Sequence, residues 1–146
     1  MSDDDARHAL AKRAGAAMWA RDDAAHHLGM ELRAMAPGQA SLAMRVAAFM
    51  LNGHGICHGG YIFTLADTAF AYACNWTGET TVAMHADINF LKPGRLGDEL
   101  VATARHAAGE GRSGVYDIVV ERGGEVLAVF RGLSRRTGGS FLEGDA

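Results

Sequence analysis

A chain of 146 residues, 49% hydrophobic and 21% charged, can bury one respectable core; this argues against disorder and leaves no room for a second domain. A formal charge of −3 and a pI near 6.1 give no basic footprint for nucleic acid. Two cysteines, Cys57 and Cys74, suit a reducing compartment and supply neither a disulfide framework nor a four-thiolate zinc site.

In chain order, Ser2 followed by Asp3, Asp4 and Asp5 reads as an N-cap with acid in the first turn, where the helix dipole favours it. The Ala-rich pattern predicts an N-terminal helix over about 3–28, stopped near Gly29. Leu42, Met44, Val46, Ala48 and Met50 then alternate as in a strand, and Asn52-Gly53-His54-Gly55 has turn composition. After His58-Gly59-Gly60, the run from Tyr61 to about Asn75 is apolar around most of its circumference, which predicts a buried helix. Strand rhythms follow from Val82 to Phe90, from Leu100 to Ala107 and from Val115 to Arg122, which together read as an antiparallel meander. After the Gly123-Gly124 hairpin turn, the last strand runs from Glu125 to about Arg136. The tail from Gly138 to Ala146 reads as flexible.

The acidic start is the opposite of a signal peptide's basic one, and Asp67 interrupts the longest apolar stretch, so a cytoplasmic protein with no membrane partner is expected. A single α+β domain over 1–146 follows. One fully apolar helix is packed most economically by a curved antiparallel sheet wrapped around it, the hotdog architecture; a plain α+β sandwich with both helices on one face is the alternative.

Asp67 is the sole charge between Tyr61 and Trp76. Facing the core, its carboxylate must be paired, protonated or functional. Thr64, Thr68 and Asn75 fall near the same helical stripe, however, and that stripe could instead face water. Gly59 and Gly60 open the helix, where unpaired N–H groups backed by the dipole suit a developing oxyanion, although paired glycines also simply make turns. His54 and His58 have ligand spacing only if helical, which Gly53 and Gly55 oppose, so no metal is expected. Cys57 is a nucleophile candidate beside a histidine, or a small structural thiol. Arg131, Arg135 and Arg136 on the last strand, with Lys92 and Arg95 around Pro93, could hold phosphates or form a solvated strand end.

Taken together, Met50-Leu51-Asn52-Gly53-His54, Cys57-His58-Gly59-Gly60 and Leu65-Ala66-Asp67-Thr68-Ala69-Phe70 resemble the PaaI-type hotdog thioesterases. The nearest branch is the phenylacetyl-CoA thioesterases of bacterial phenylacetate degradation. Phe90-Leu91-Lys92-Pro93-Gly94, Gly97-Asp98, Gly114 to Ile118 and Phe130-Arg131-Gly132 agree as well, so the resemblance covers nearly the whole chain. An Asn six residues before the His and an Asp nine after it make the pattern specific.

The resemblance implies hydrolysis of an aryl- or phenylacetyl-CoA-type thioester, the ring hydroxylated or not, to free acid and CoA, with no cofactor beyond the CoA of the substrate. It implies that Asp67 is nucleophile or general base, that the Gly59 amide polarises the carbonyl, and that Asn52 and His58 orient water and substrate. It further implies substrate or CoA contacts at Gly60, Phe90, Lys92, Arg112, Arg135 and Arg136. Ala83 departs from the pattern, since some relatives carry serine there, which removes a hydroxyl-assisted mechanism. Thioesterases for medium or long acyl chains, a hotdog dehydratase and a non-catalytic acyl-CoA-binding module are the competing classes.

Gly59 and Asp67 are eight residues apart, roughly 12 Å along a helix at ~1.5 Å per residue. One chain cannot bring both to a single carbonyl. A homodimer with antiparallel central helices would share its active sites, and the resemblance implies a dimer of dimers, a homotetramer.

Overall fold

A computed structural model describes residues 1–142. The N-terminal segment forms α1 (Asp3–Trp19) and a short α2 (Asp23–His27), not one helix to residue 28. Ser2 Oγ accepts from the Asp5 N–H while the Asp5 carboxylate accepts from the Ser2 N–H, a reciprocal cap that fixes the start of α1. The break comes at Asp22, whose carboxylate accepts from the Ala25 N–H and so begins a new helix.

The strands are β1 (Glu31–Ala36), β2 (Gln39–Arg45), β3 (Glu79–Phe90), β4 (Glu99–Ala108), β5 (Ser113–Arg122) and β6 (Glu125–Ser140). They form one antiparallel sheet in the order β1-β2-β4-β5-β6-β3. Three differences from the sequence reading stand out. β1 is an additional strand, joined to β2 through Pro37 and a left-handed Gly38 (φ 67°). The alternation around Leu42 ends at Arg45, and Ala48–Met50 is a single turn of 3-10 helix. β3 does not begin a meander into β4; β4 pairs with β2, and β3 crosses to the far edge beside β6.

The tail also differs. β6 continues to Ser140, the Phe141 N–H donates to the Gly78 carbonyl, and Leu142 is buried against Gly78. Residues 143–146 lie outside the described region.

The central helix α3 (Gly59–Cys74) lies in the concave face of the sheet. Leu65, Ala66, Ala69, Phe70, Tyr72 and Ala73 are fully buried there with Leu42, Met44, Leu100, Ile118 and Val120. This is the hotdog arrangement. Close approach is specific at Gly132, where a β-carbon would lie 2.6 Å from the Phe70 ring. Two polar links anchor α3. The Tyr72 hydroxyl donates to Asp22 (3.0 Å), tying α3 to the segment between α1 and α2. Asn75, expected on a possible water-facing stripe, is buried instead. Its amide donates to the Ala71 and Thr81 carbonyls and accepts from the Thr81 N–H, joining the helix end to β3. Among the described residues no helix is long and apolar enough to cross a membrane.

Candidate active site

The loop before α3 is built around Asn52. Its side-chain oxygen accepts from the His54 N–H (2.9 Å) and the Ile56 N–H (3.4 Å), an Asx turn closed by the Gly55 N–H on the Asn52 carbonyl. This use of the oxygen orients the amide nitrogen as the free end. The loop is then pinned by Leu51 bridging Cys57, by the Cys57 N–H on Gly94 and by the His58 N–H on Met50.

His58 is the N-cap of α3. Its Nδ1 accepts from the Gly60 N–H at 2.9 Å, so the neutral ring carries its proton on Nε2, and the exposed edge of the imidazole is a donor. The cap satisfies Gly60 and leaves the Gly59 N–H without a partner among the described residues. That amide sits at the positive end of a 16-residue helix, the place where a developing oxyanion is best stabilised.

Gly59 borders a cavity of about 410 Å³ walled by Ile56, Cys57, Ile62, Phe90, Leu91 and Pro93, with Asn52 and Lys92 as its polar members. Lys92 is held there by Glu125 (2.8 Å). Burial pushes the Cys57 thiol above its ordinary value, and its hydrogen bond to the His58 carbonyl is long at 3.6 Å. That environment is the reverse of an activated thiolate.

Asp67 lies two turns along α3 on a half-buried face with Thr64 and Thr68. Thr64 Oγ1 donates to Gly60 (2.8 Å) and Thr68 Oγ1 to Thr64 (2.6 Å), so both hydroxyls are spent on helix carbonyls. Asp67 accepts no hydrogen bond among the described residues, and burial raises its pKa above the usual carboxylate range. The stripe is thus neither core nor open surface. It is a half-covered face holding one carboxylate with no protein partner among the described residues.

The structure therefore brings Asn52, Gly59, Phe90 and Lys92 around one cavity, while His58 and Gly60 flank Gly59 in the chain without lining the cavity. It sets Asp67 apart from them on the helix. The arginines named from the sequence are dispersed. Arg112 and Arg136 line a separate cavity beyond the C-terminal end of α3, while Arg135 points with Arg131 and Leu133 to the convex face of β6. Arg131 is paired there with Asp117 (2.7 Å). His85 is exposed on β3 near Asp87 (3.7 Å). Sequence reasoning missed the contact of Phe90 with Gly59, which no local pattern announces, and the role of Asn75, which its place just after the last apolar helical residue signals.

Residues 54–129 match the thioesterase superfamily. The chain is 48% identical over 126 residues to the acyl-coenzyme A thioesterase PaaI of Escherichia coli K12, covering 86% of this chain and 90% of that one. The solved structure of the E. coli PaaI protein from the phenylacetic acid degradation operon superposes with a TM-score of 0.89 at 46% identity, covering 91% and 97% of the two chains. A Streptococcus mutans UA159 protein solved with acetyl-CoA bound gives 0.72 at 29% identity, covering 76% and 90%. The helix-capped glycine, the lone carboxylate and the sheet wrapped around their helix thus occur in a chain that belongs to the thioesterase superfamily, as an enzyme of its PaaI-type hotdog branch.

Proposed function

We propose that this acyl-CoA thioesterase acts on arylacetyl-CoA, phenylacetyl-CoA or a ring-hydroxylated relative, at sites shared between two subunits. The observation that carries the reading is the unpartnered Gly59 amide at the head of α3, opening into an apolar cavity. The thioester carbonyl oxygen would accept from Gly59, with the helix dipole stabilising the charge that develops on it. Asp67 of the other subunit would take a proton from the attacking water, or would attack directly to form a mixed anhydride that water then cleaves to the free acid. Collapse of the tetrahedral intermediate expels CoA as thiolate. Asn52 Nδ2 and His58 Nε2 would be the donors that orient water and the acyl carbonyl.

Support for the shared site comes from β3. This strand of 12 residues pairs with β6 on one side only, and Val82, Met84 and Phe90 on it are exposed, as is Leu91 just beyond it. A long unpaired edge with exposed apolar side chains is a liability in a monomer, and a second copy paired antiparallel along it would remove that liability while setting the two α3 helices side by side. The unsatisfied Asp67 would then face the partner's Gly59. A module that only bound acyl-CoA would have no use for a half-buried, unpartnered carboxylate, whose burial costs stability.

An aryl preference is supported by the cavity walls, with Phe90 and Leu91 available to pack a ring, and by the phenylacetic acid operon of the E. coli relative. The test is a panel of acyl-CoAs with a thiol reagent that reports free CoA. The proposal expects the highest kcat/KM for phenylacetyl-CoA or its hydroxylated forms. A maximum at long fatty acyl-CoAs with aryl substrates far behind would refute the specificity, and no CoA release from any member would refute the activity.

A further inference from the structure

At the opposite end of α3 from Gly59, roughly 22 Å away at ~1.5 Å per residue, lies a second cavity of about 290 Å³ between the β4–β5 turn, the ends of β3 and β6, and α1. Its inner wall is polar although buried: Tyr116 is 6% and Ser134 3% exposed, with the Cys74 thiol beside them. Ser134 Oγ donates to the Gly114 carbonyl. The Tyr116 hydroxyl has no hydrogen-bond partner among the described residues. Burial pushes both Tyr116 and Cys74 up to about 12, so each keeps its proton; the Cys74 thiol already donates to the Ala71 carbonyl (3.5 Å), which leaves the Tyr116 hydroxyl as the neutral donor here.

Three guanidiniums border the same space. Arg7 lies 5.3 Å over the Trp76 ring and Arg112 sits on the β4–β5 turn; neither has a carboxylate within 4 Å among the described residues. Arg136 has only the longer Glu79 contact at 3.7 Å. By contrast, Arg33, Arg122 and Arg131 on the other surfaces each hold a carboxylate within 3 Å. Glu110, on the rim, is the one acidic residue lining the cavity. Positive charge and the unused Tyr116 hydroxyl thus meet at a concavity into which, among the described residues, only the rim residue Glu110 brings a carboxylate.

We propose that this cavity is a binding site for an organic oxyanion, a phosphate monoester or carboxylate held by Arg112, Arg136 and the Tyr116 hydroxyl, with its apolar body against Trp76. The anion has two sources. It can be a free small molecule, or it can be the nucleotide end of CoA, whose thioester lies in the site shared with the partner subunit. The second source rests on the shared-site reading above; the first does not.

Trp76 reports on the cavity, and Trp19, the other tryptophan, lies elsewhere on α1, so Trp19→Phe leaves a single local probe. The Trp19→Phe protein is titrated with phenyl phosphate, benzoate and adenosine 3′,5′-bisphosphate, with phenol and adenosine as neutral counterparts. We expect a saturable change for at least one anion, none for the neutral compounds, and weaker binding as salt rises. Arg112→Gln and Arg136→Gln should each weaken it about tenfold or more, as expected for a lost charge-assisted hydrogen bond. Tyr116→Phe, which keeps the wall's shape, should weaken it by a smaller factor. Binding of the bisphosphate alone, competitive with acyl-CoA, assigns the cavity to the nucleotide end of CoA. Binding of the aryl anions assigns it to a free ligand whether or not the shared-site reading holds. No saturable response to any probe up to about 10 mM, or a response indifferent to all three substitutions, overturns the proposal.

Discussion

Phe90 closes over the start of the central helix: a β-carbon built on Gly59 would lie 3.0 Å from Cζ of its ring. The backbone of Gly59 is ordinary, since it is not among the residues with positive φ, so what the position requires is the absence of a side chain. An alanine there would keep the helix, whose propensity it improves, and would push Phe90 away from the Gly59 amide.

Gly59→Ala should therefore fold with unchanged unfolding midpoint and lose ~10–10²-fold in kcat/KM, the scale of a small misplacement at a reacting centre. Gly59→Ala combined with Phe90→Ala should be more active than Gly59→Ala alone, because the ring no longer competes for the space. Full activity in the single variant would show that Phe90 and Gly59 need not be apposed.

The pH profile should carry the signature of Asp67. Burial raises its pKa, and the carboxylate must be ionised to attack or to accept a proton. Activity should fall on the acid side with an apparent pKa above the ~3.9 of an ordinary aspartate. The stability effect has the opposite sign. A folded-state pKa raised above the unfolded value favours the fold at low pH, and that contribution is lost as pH rises through the raised value. Asp67→Asn should thus lose most hydrolysis, ~10²–10⁴-fold, yet be at least as stable as the parent at neutral pH. A destabilised Asp67→Asn with a normal active fraction would make Asp67 structural.

Tyr72→Phe tests the anchor between α3 and the N-terminal helices. The hydroxyl is fully buried and donates to Asp22 at 3.0 Å, so its loss should cost about 1–2 kcal/mol. Urea unfolding should show a lower midpoint with an unchanged slope. An unchanged midpoint would mean that water replaces the hydroxyl without cost.

What was legible in the sequence follows the range of the interactions. The apolar circumference of α3 and the clean alternation around Val82 and Ile88 are local patterns, and both elements stand where those patterns put them. β1 escaped because it has no clean alternation: Leu32 and Ala34 are separated by a register shift, and the strand is only half-covered, against α1. The order of strands escaped because pairing β3 with β6 instead of β4 is decided by the wrapping of the sheet, not by either strand's residues. In the site, a lone carboxylate in an apolar run and two glycines after a histidine are conspicuous one-dimensional signals. The Tyr72–Asp22 bond, across 50 residues, leaves no such mark, and neither does the closure of Phe90 over Gly59.

The central claim is that Asp67 of one subunit serves the Gly59 of another, and subunit mixing tests it most directly. Inactive Asp67→Asn protein is mixed with inactive Asn52→Ala protein under conditions of demonstrated exchange. A heterodimer then holds one site with both defects and one with neither. Random exchange should restore about a quarter of parental activity, rising toward a half as heterodimers predominate. No recovery despite proven exchange would place the whole catalytic set within one chain and contradict the account.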